Sequence, residues 1–154
     1  MIPPLKLLSS VSEYQLYYEK TYTKKPLLSF DGIPIFFAKY RFSHAFYESS
    51  DRRGAKDIFS LQRAERMDWI KYTIESDQSL LLKGWDAVTR QYFSNRRVSI
   101  LYEDFVVVII LTLNKEGQLK GSFLTCYQAD NSIEKIKSSP IWVKDECIEE
   151  LIRC

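Results

Sequence analysis

The feature that most constrains the fold is an apolar run in the second half of the chain. Residues Phe105 to Leu113 form a continuous stretch rich in β-branched side chains, which is typical of a central strand covered on both faces. Residues 114–117, Asn-Lys-Glu-Gly, predict a hairpin loop, after which Leu119 to Ala129 returns as a strand. Val98 to Tyr102 alternates in polarity and predicts another strand. The second half therefore predicts an antiparallel meander.

The first half predicts helices instead. The best helical segment is Asp57 to Ser76, because it contains no Gly or Pro and begins at a plausible N-cap, Asp57. A second, shorter helix is expected over Asp77 to Tyr92, interrupted near Gly84. The tyrosines of Leu5 to Tyr22 have helical spacing, which leaves both helix and coil open for that segment.

Shorter segments complete the prediction. Pro34 restricts Ile33 to Ala38 to an edge strand or an extended loop. Ser43 to Phe46 can begin a helix, and Ser49 to Gly54 is a polar loop with two arginines. Ile141 to Val143 is an edge strand or the approach to a C-terminal helix at Asp145 to Arg153.

Helices followed by a meander predict an α+β fold, with N-terminal helices packed on a mostly antiparallel sheet of four or slightly more strands. The 154 residues are expected to form one domain. Its core would span about residues 30–143, with an N-terminal extension at 1–29 and the C-terminal helix at 144–154.

Composition excludes several classes of protein. The net charge is +2, from 22 basic and 20 acidic residues, and 14% of the chain is aromatic. These values exclude a histone-like polycation and a low-complexity disordered chain. No apolar run is long enough to span a bilayer, and residues 1–10 lack the apolar stretch of a signal peptide. A protein that acts in the cytoplasm, without a membrane partner, is expected; delivery as a toxin without a classical signal stays open.

The cysteines predict neither a metal site nor a disulfide framework. Cys126, Cys147 and Cys154 are odd in number, have no metal-ligand spacing and are accompanied by a single histidine. Free thiols, no metal and no cofactor are therefore expected. Cys126 is expected in the core and chemically inert.

Two arginines are unusual on the predicted helix 57–76. Helical spacing places Arg63 and Arg66 among its apolar residues, and neither has an acid three or four positions away. Such a guanidinium needs a carboxylate from elsewhere in the fold, a path for its head to reach water, or an anion in a cleft. The surrounding region, Lys39 to Arg97, carries twelve basic and eight acidic residues, which makes it the better place to meet a polyanion.

Further candidates lie outside that helix. His44, between aromatic residues, is either a structural residue or a general acid or base. On the strand 119–129, strict alternation predicts Phe123, Thr125 and Tyr127 on one face, and Leu124 with Cys126 on the other. The hydroxyl and phenol of Thr125 and Tyr127 could bind a phosphate, or form a plain cross-strand surface.

Three stretches together resemble the barnase/EndoU/colicin/RelE-like (BECR) ribonuclease superfamily, including its phage-associated branch. They are Phe42 to Phe46, Lys56 to Arg66 with Trp69-Ile70, and Phe123 to Tyr127, and they span about three-fifths of the chain. The resemblance implies helices on a four-stranded antiparallel sheet. It also implies metal-independent RNA cleavage, in which the ribose 2′-hydroxyl attacks the adjacent phosphate.

Roles are also implied by the resemblance. His44 would be the general base or acid, Arg63 or Arg66 with Lys56 would stabilise the phosphorane, and Thr125 and Tyr127 would position the phosphate or relay a proton. The expected partners are RNA, with tRNA as one candidate, and an immunity or antitoxin protein.

Aromatic and basic residues near position 95 are candidates for substrate binding, because aromatic rings can stack on unpaired bases. They are Tyr92, Phe93, Arg96 and Arg97. Two other functions remain open. One is a protein-binding module without catalysis, and the other is an ADP-ribosyltransferase-like enzyme using His44, Thr125 and Glu134.

Overall fold

The computed structural model describes residues 2–49, 54 and 56–153. The helices of this part of the chain are α1 (Val11–Tyr22), α2 (Phe42–Ala45), α3 (Leu61–Ala64), α4 (Met67–Glu75), α5 (Ile133–Lys137) and α6 (Lys144–Arg153). The strands are β1 (Leu27–Leu28), β2 (Pro34–Phe36), β3 (Tyr47–Ser49), β4 (Lys56–Phe59), β5 (Leu80–Leu82), β6 (Gly84–Asp86), β7 (Gln91–Phe93), β8 (Val98–Tyr102), β9 (Phe105–Leu113) and β10 (Leu119–Gln128). A short 3₁₀ helix, Lys39–Arg41, precedes α2.

The architecture is α+β and is built on one six-stranded sheet in the order β1-β2-β10-β9-β8-β5. The expected meander β8-β9-β10 is confirmed and forms the middle of this sheet. The sheet is larger than four strands and is mixed. Strand β2 runs parallel to β10, whereas all other neighbouring strands of the sheet pair antiparallel. Two hairpins, β3-β4 and β6-β7, form separate small sheets.

Strand β9 divides two hydrophobic cores. The first core lies between the sheet and helices α1, α2, α4 and α6, and it includes Tyr14, Tyr18, Ile70, Val107, Ile109 and Cys147. The second core is smaller, and contains Leu82, Leu101, Val106, Val108 and Ala129 with partly buried residues of β10 and α5. Alternate residues of β9 enter opposite cores, which explains why the run shows no polar alternation.

Helix α1 belongs to the first core. Ser10 caps it by accepting a hydrogen bond from the Glu13 N–H at 3.2 Å. Tyr14, Tyr18 and Tyr22, four residues apart, are all buried and place one face of the helix against the sheet. The core therefore extends to the N-terminal side of residue 30.

The predicted helix Asp57–Ser76 is wrong at its start and broken in its middle. Residues 56–59 instead pair with β3. Ser60 is extended and caps α3 through its hydroxyl, which accepts from the Arg63 N–H at 3.3 Å. Arg66 leaves helical geometry and separates α3 from α4. Cross-strand pairing outweighs the local helix preference here, because Phe59 packs against the first core.

The predicted helix Asp77–Tyr92 is also wrong. Leu80–Leu82 pairs with β8 as an edge strand, and the rest forms the β6-β7 hairpin. Gly84 explains the hairpin, since a Cβ there would lie 1.9 Å from the Arg96 carbonyl oxygen. Only glycine permits this close approach of two backbones.

The remaining segments agree with the sequence to different degrees. Residues 34–36 form a strand but not an edge, because β2 pairs with β1 on one side and β10 on the other. Ser43–Phe46 lies largely within α2, and the C-terminal helix is confirmed. Ile141 makes a single bridge to Leu82. Most of the predicted loop 49–54, including both of its arginines, lies outside the described residues.

No helix in the described part of the chain combines the length and apolar character needed to cross a membrane.

Candidate functional site

The sheet surface opposite the first core is only partly covered. Cross-strand partners share a face of a sheet, and the observed register therefore places one set of side chains on this side. We call it the open face and define it by Phe36, Ser99, Val108, Ile110, Leu124, Thr125 and Tyr127. Helix α5 and the β6-β7 hairpin border it.

A β-bulge in β10 decides which side chains reach the open face. Phe123 pairs with Ile109, but Thr125 pairs with Val108, so Leu124 is an extra residue. Phe123 and Cys126 consequently point into the first core, whereas Leu124 packs against the second. The predicted grouping of Phe123 with Thr125, and of Leu124 with Cys126, is therefore wrong. The shared face of Thr125 and Tyr127 is confirmed.

The bulge leaves one polar atom without a partner. The Thr125 hydroxyl oxygen is buried and makes no hydrogen bond to any described residue. Buried hydroxyls are normally satisfied by protein or water. Because this oxygen is buried, a ligand on the open face can reach it only after neighbouring side chains move.

Basic side chains converge beside the bulge. Desolvation of the ammonium, followed by repulsion from Arg63, Arg97 and Arg41, lowers the pKa of Lys56. We call Arg41, Lys56, Arg63 and Arg97 the cationic group. Cations that repel one another in this way favour a bound anion, because an anion relieves their mutual repulsion.

Main-chain carbonyls of α2 hold two of these cations. The Lys56 ammonium donates to the His44 carbonyl oxygen at 2.7 Å. The Arg63 Nη1 donates to the Ala45 carbonyl oxygen at 3.3 Å, and its Nη2 lies 3.9 Å from a Glu48 carboxylate oxygen. The C-terminal end of α2 is therefore fixed against the cationic group.

Tyr127 lies between two cavities. Burial raises the pKa of its phenol, while the positive charges of Arg97 and Arg63 oppose that change. A first cavity of about 360 Å³ and a second of about 390 Å³ both include Tyr127 in their walls. The second cavity also contains Arg63, Glu48, Asp104 and Asp130.

The first cavity combines cations with aromatic rings. Arg97 and Lys135 contribute positive charges, Lys83 is paired with Glu146 at 2.9 Å, and Trp85 and Tyr92 contribute the rings. The two rings are a cross-strand pair of the β6-β7 hairpin, with centroids 5.0 Å apart.

Arg96, also predicted to bind substrate, is oriented by neighbours in the same hairpin. Its guanidinium lies 4.6 Å from the centre of the Phe93 ring and 3.8 Å from an Asp86 carboxylate oxygen. The side chain is more than half exposed, so it borders the hairpin without being buried.

His44 is exposed on α2. Its ring meets the Tyr40 ring nearly at right angles, with centroids 6.0 Å apart. The contact that joins His44 to the cationic group is made by its main-chain carbonyl. The structure thus joins His44 to Lys56 through the main chain, and its exposed imidazole lies against Tyr40.

Arg66 has a structural environment. Its Nη1 donates to the Gln62 carbonyl oxygen at 2.8 Å and to the Glu65 carboxylate at 3.1 Å. Its guanidinium lies 5.0 Å from the centre of the Trp69 ring, which packs against Phe105 of the first core. Helical spacing offered Arg66 no acid three or four positions away. It pairs instead with its neighbour Glu65, because Arg66 itself leaves helical geometry.

Sequence reasoning missed several residues of the site. They are Arg41, Lys83, Trp85 and Lys135. The sequence signal for Trp85 was Gly84 followed by Asp86, because these residues favour a turn over a helix. A hairpin predicted here would have paired Trp85 with Tyr92. Within residues 2–49, 54 and 56–153, no group of three or more His, Cys, Asp or Glu side chains could hold a metal ion.

No family model, curated protein or solved structure matches this chain. The resemblance to the BECR ribonucleases stays a prediction that rests on the residues quoted above.

Proposed function

We propose that the protein is a metal-independent endoribonuclease, toxin-like in action, whose site is the open face around Tyr127. The observation that carries the proposal is that Arg63 and Arg97 each line a cavity together with Tyr127, and that both arginines influence the pKa of Tyr127 and that of Lys56. Such a group suits a phosphodiester, which is the repeating anion of nucleic acids. The buried, unpartnered hydroxyl of Thr125 lies on the same face and would become a further hydrogen-bonding group once substrate binding uncovers it.

The cationic group would supply most of the catalysis. Negative charge on the phosphorane oxygens grows as the 2′-hydroxyl attacks, and Lys56, Arg63 and Arg97 offer fixed positive charge there. Preorganised donors at a developing oxyanion contribute about 3–4 kcal/mol each in well-studied enzymes. The α2 carbonyls that hold Lys56 and Arg63 keep these donors in position.

Proton transfer would fall to His44. Attack by the 2′-hydroxyl requires a base, and departure of the 5′-oxygen requires an acid. The imidazole is exposed at the C-terminal half of α2, next to the carbonyls that bind the cations. Tyr127, whose phenol stays protonated because burial raises its pKa, would donate a hydrogen bond to the phosphate.

The test is cleavage of a defined RNA in EDTA. We expect products ending in a cyclic phosphate and a 5′-hydroxyl, and no cut where a single 2′-hydroxyl is replaced by hydrogen. His44→Ala should slow cleavage about 100- to 10,000-fold while the melting temperature stays unchanged. Lys71→Ala is the matched control, because Lys71 pairs with Glu75 on α4 at 3.3 Å and is not part of the site. The Lys71→Ala protein should cleave RNA normally.

Other results would redirect the assignment. Full activity in both His44→Ala and Arg63→Ala would place the reaction elsewhere. NAD turnover without RNA cleavage would favour the transferase alternative. A tRNA substrate would appear as cleavage of deacylated tRNA. An inhibitor protein would act by covering the open face.

A further inference from the structure

We propose that the open face binds RNA as an unpaired strand, with bases stacked on two aromatic platforms at either side of the cationic group. The inference rests on the proposed function and names its substrate class. The first platform is the pair Trp85 and Tyr92, and the second is the pair Phe36 and Tyr40.

The first platform is exposed although it lies in a cavity wall. Trp85 is 47% exposed and Tyr92 is 39% exposed, so both rings offer surface to a bound base. Their hairpin is fixed by the close contact of Gly84 with the Arg96 and Arg97 backbone. The rings are therefore held in place beside Arg97, Lys83 and Lys135.

The second platform also combines aromatic rings with a cation. Phe36 and Tyr40 are 45% and 63% exposed and line a cavity of about 340 Å³ together with Arg41 and Leu124. The guanidinium of Arg41 lies 5.3 Å from the centre of the Tyr40 ring. An aromatic ring with an adjacent arginine is the combination that stacks bases and neutralises phosphates in single-strand binding proteins.

Both platforms belong to one continuous surface. Leu124 lines the second platform's cavity and Tyr127 the first cavity, and these residues lie on either side of Thr125 in β10. Three strand spacings separate β2 from β8, which amounts to about 14 Å across the sheet. Arg41 lines the second platform's cavity and Arg97 the first cavity, so a cation lies beside each pair of rings. A strand crossing from one platform to the other would bring the phosphates that link its stacked bases near these cations.

A duplex does not fit this arrangement. Its bases are stacked on one another and offer only their edges in the grooves, whereas these platforms need the free faces of bases. The cations alone would bind any polyanion. The rings therefore predict discrimination between unpaired and paired RNA.

Binding can be measured apart from cleavage with a 2′-O-methyl oligoribonucleotide, because its blocked 2′-oxygen cannot attack the phosphate. We expect fluorescence anisotropy to show at least tenfold tighter binding of the single strand than of the duplex with the same sequence. Trp85→Ala and Tyr40→Ala should each weaken single-strand binding about 5- to 150-fold. Trp85→Phe should retain most of it, since a ring remains.

Controls separate stacking from misfolding. Phe30→Ala removes a ring that is 39% exposed, as Tyr92 is, but Phe30 lines a different cavity. It should bind RNA normally. Each variant is compared by its melting temperature, and Trp85→Phe gives a reading even where Trp85→Ala loosens the hairpin.

The outcomes distinguish the two proposals. Equal affinity for single strand and duplex, or unchanged binding in well-folded Trp85→Ala and Tyr40→Ala, would overturn the platforms while leaving the ribonuclease proposal intact. Single-strand binding that depends on Trp85 and Tyr40, without cleavage of ordinary RNA, would support the platforms and refute the ribonuclease.

Discussion

Gly84→Ala tests how the hairpin is attached to the sheet. The new Cβ would lie 1.9 Å from the Arg96 carbonyl oxygen and 2.6 Å from that of Arg97. Ordinary contact begins near 3.4 Å, so the two backbones must separate by about 1.5 Å. Both partners are main chain, and rotating a side chain cannot relieve the clash. We expect a loss of about 3 kcal/mol in the free energy of unfolding, at the upper end for overpacking.

The assay is thermal and urea unfolding followed by circular dichroism. For a chain of this size the loss corresponds to a fall of about 6–12 °C in melting temperature. Gly117→Ala is the matched control: no atom lies within 4 Å of its added Cβ, but its φ of +78° is strained for alanine, at about 1 kcal/mol. Oligonucleotide binding should weaken only in Gly84→Ala. A Gly84→Ala protein as stable as the wild type would refute the close approach.

Two further predictions concern alkaline stability and Arg66. Burial raises the pKa of Cys126 from 9.0 to about 12 and that of Tyr22 well above 10.0. Above about pH 9 the folded chain therefore keeps protons that the unfolded chain releases. The free energy of unfolding should fall as the pH rises through this range, by up to about 1.4 kcal/mol per pH unit for each group. Urea unfolding at neutral and alkaline pH measures this, and an equally steep fall in Cys126→Ala would contradict the role of the thiol. Arg66→Ala should cost about 1–2 kcal/mol, because it removes the bonds to Gln62 and Glu65 and the stacking on Trp69. Its RNA cleavage should remain normal, and a selective loss of cleavage at unchanged stability would return Arg66 to the site.

The parts of the fold that sequence predicted well are those with strong, local signals. Phe105–Leu113 was predicted as a strand with the observed bounds, since only a doubly covered strand accounts for so many β-branched residues in sequence. Asn114 to Gly117 forms the expected loop, in which Asn114 accepts main-chain hydrogen bonds through its side chain.

The parts that were predicted wrongly depend on distant partners. Ile58 and Phe59 become a strand because β3 is beside them, and no local pattern announces that pairing. Leu80–Leu82 likewise becomes an edge strand because β8 is available. Three-leucine runs fit helix and strand equally well until their neighbours are known.

The candidate site depends on distant partners as well. Arg63 and Arg97 influence the pKa of both Lys56 and Tyr127, although Arg63 lies on the short helix α3 and not on the long helix predicted over 57–76. The basic character of these residues pointed to the group, whereas the helix assumed for Arg63 did not. Trp85 was missed because its role depends on a hairpin that the sequence reading replaced with a helix.

The extra residue at position 124 divides β10 into two segments with opposite phase. Before it, odd-numbered side chains such as Phe123 are committed to the interior; after it, even-numbered ones such as Cys126 take that place. Regular alternation through Leu124, without the bulge, would exchange inside and outside for every later residue of the strand. Tyr127 would then be buried and Cys126 exposed. The bulge, and not the identity of any single side chain, therefore decides which residues of this strand reach the surface.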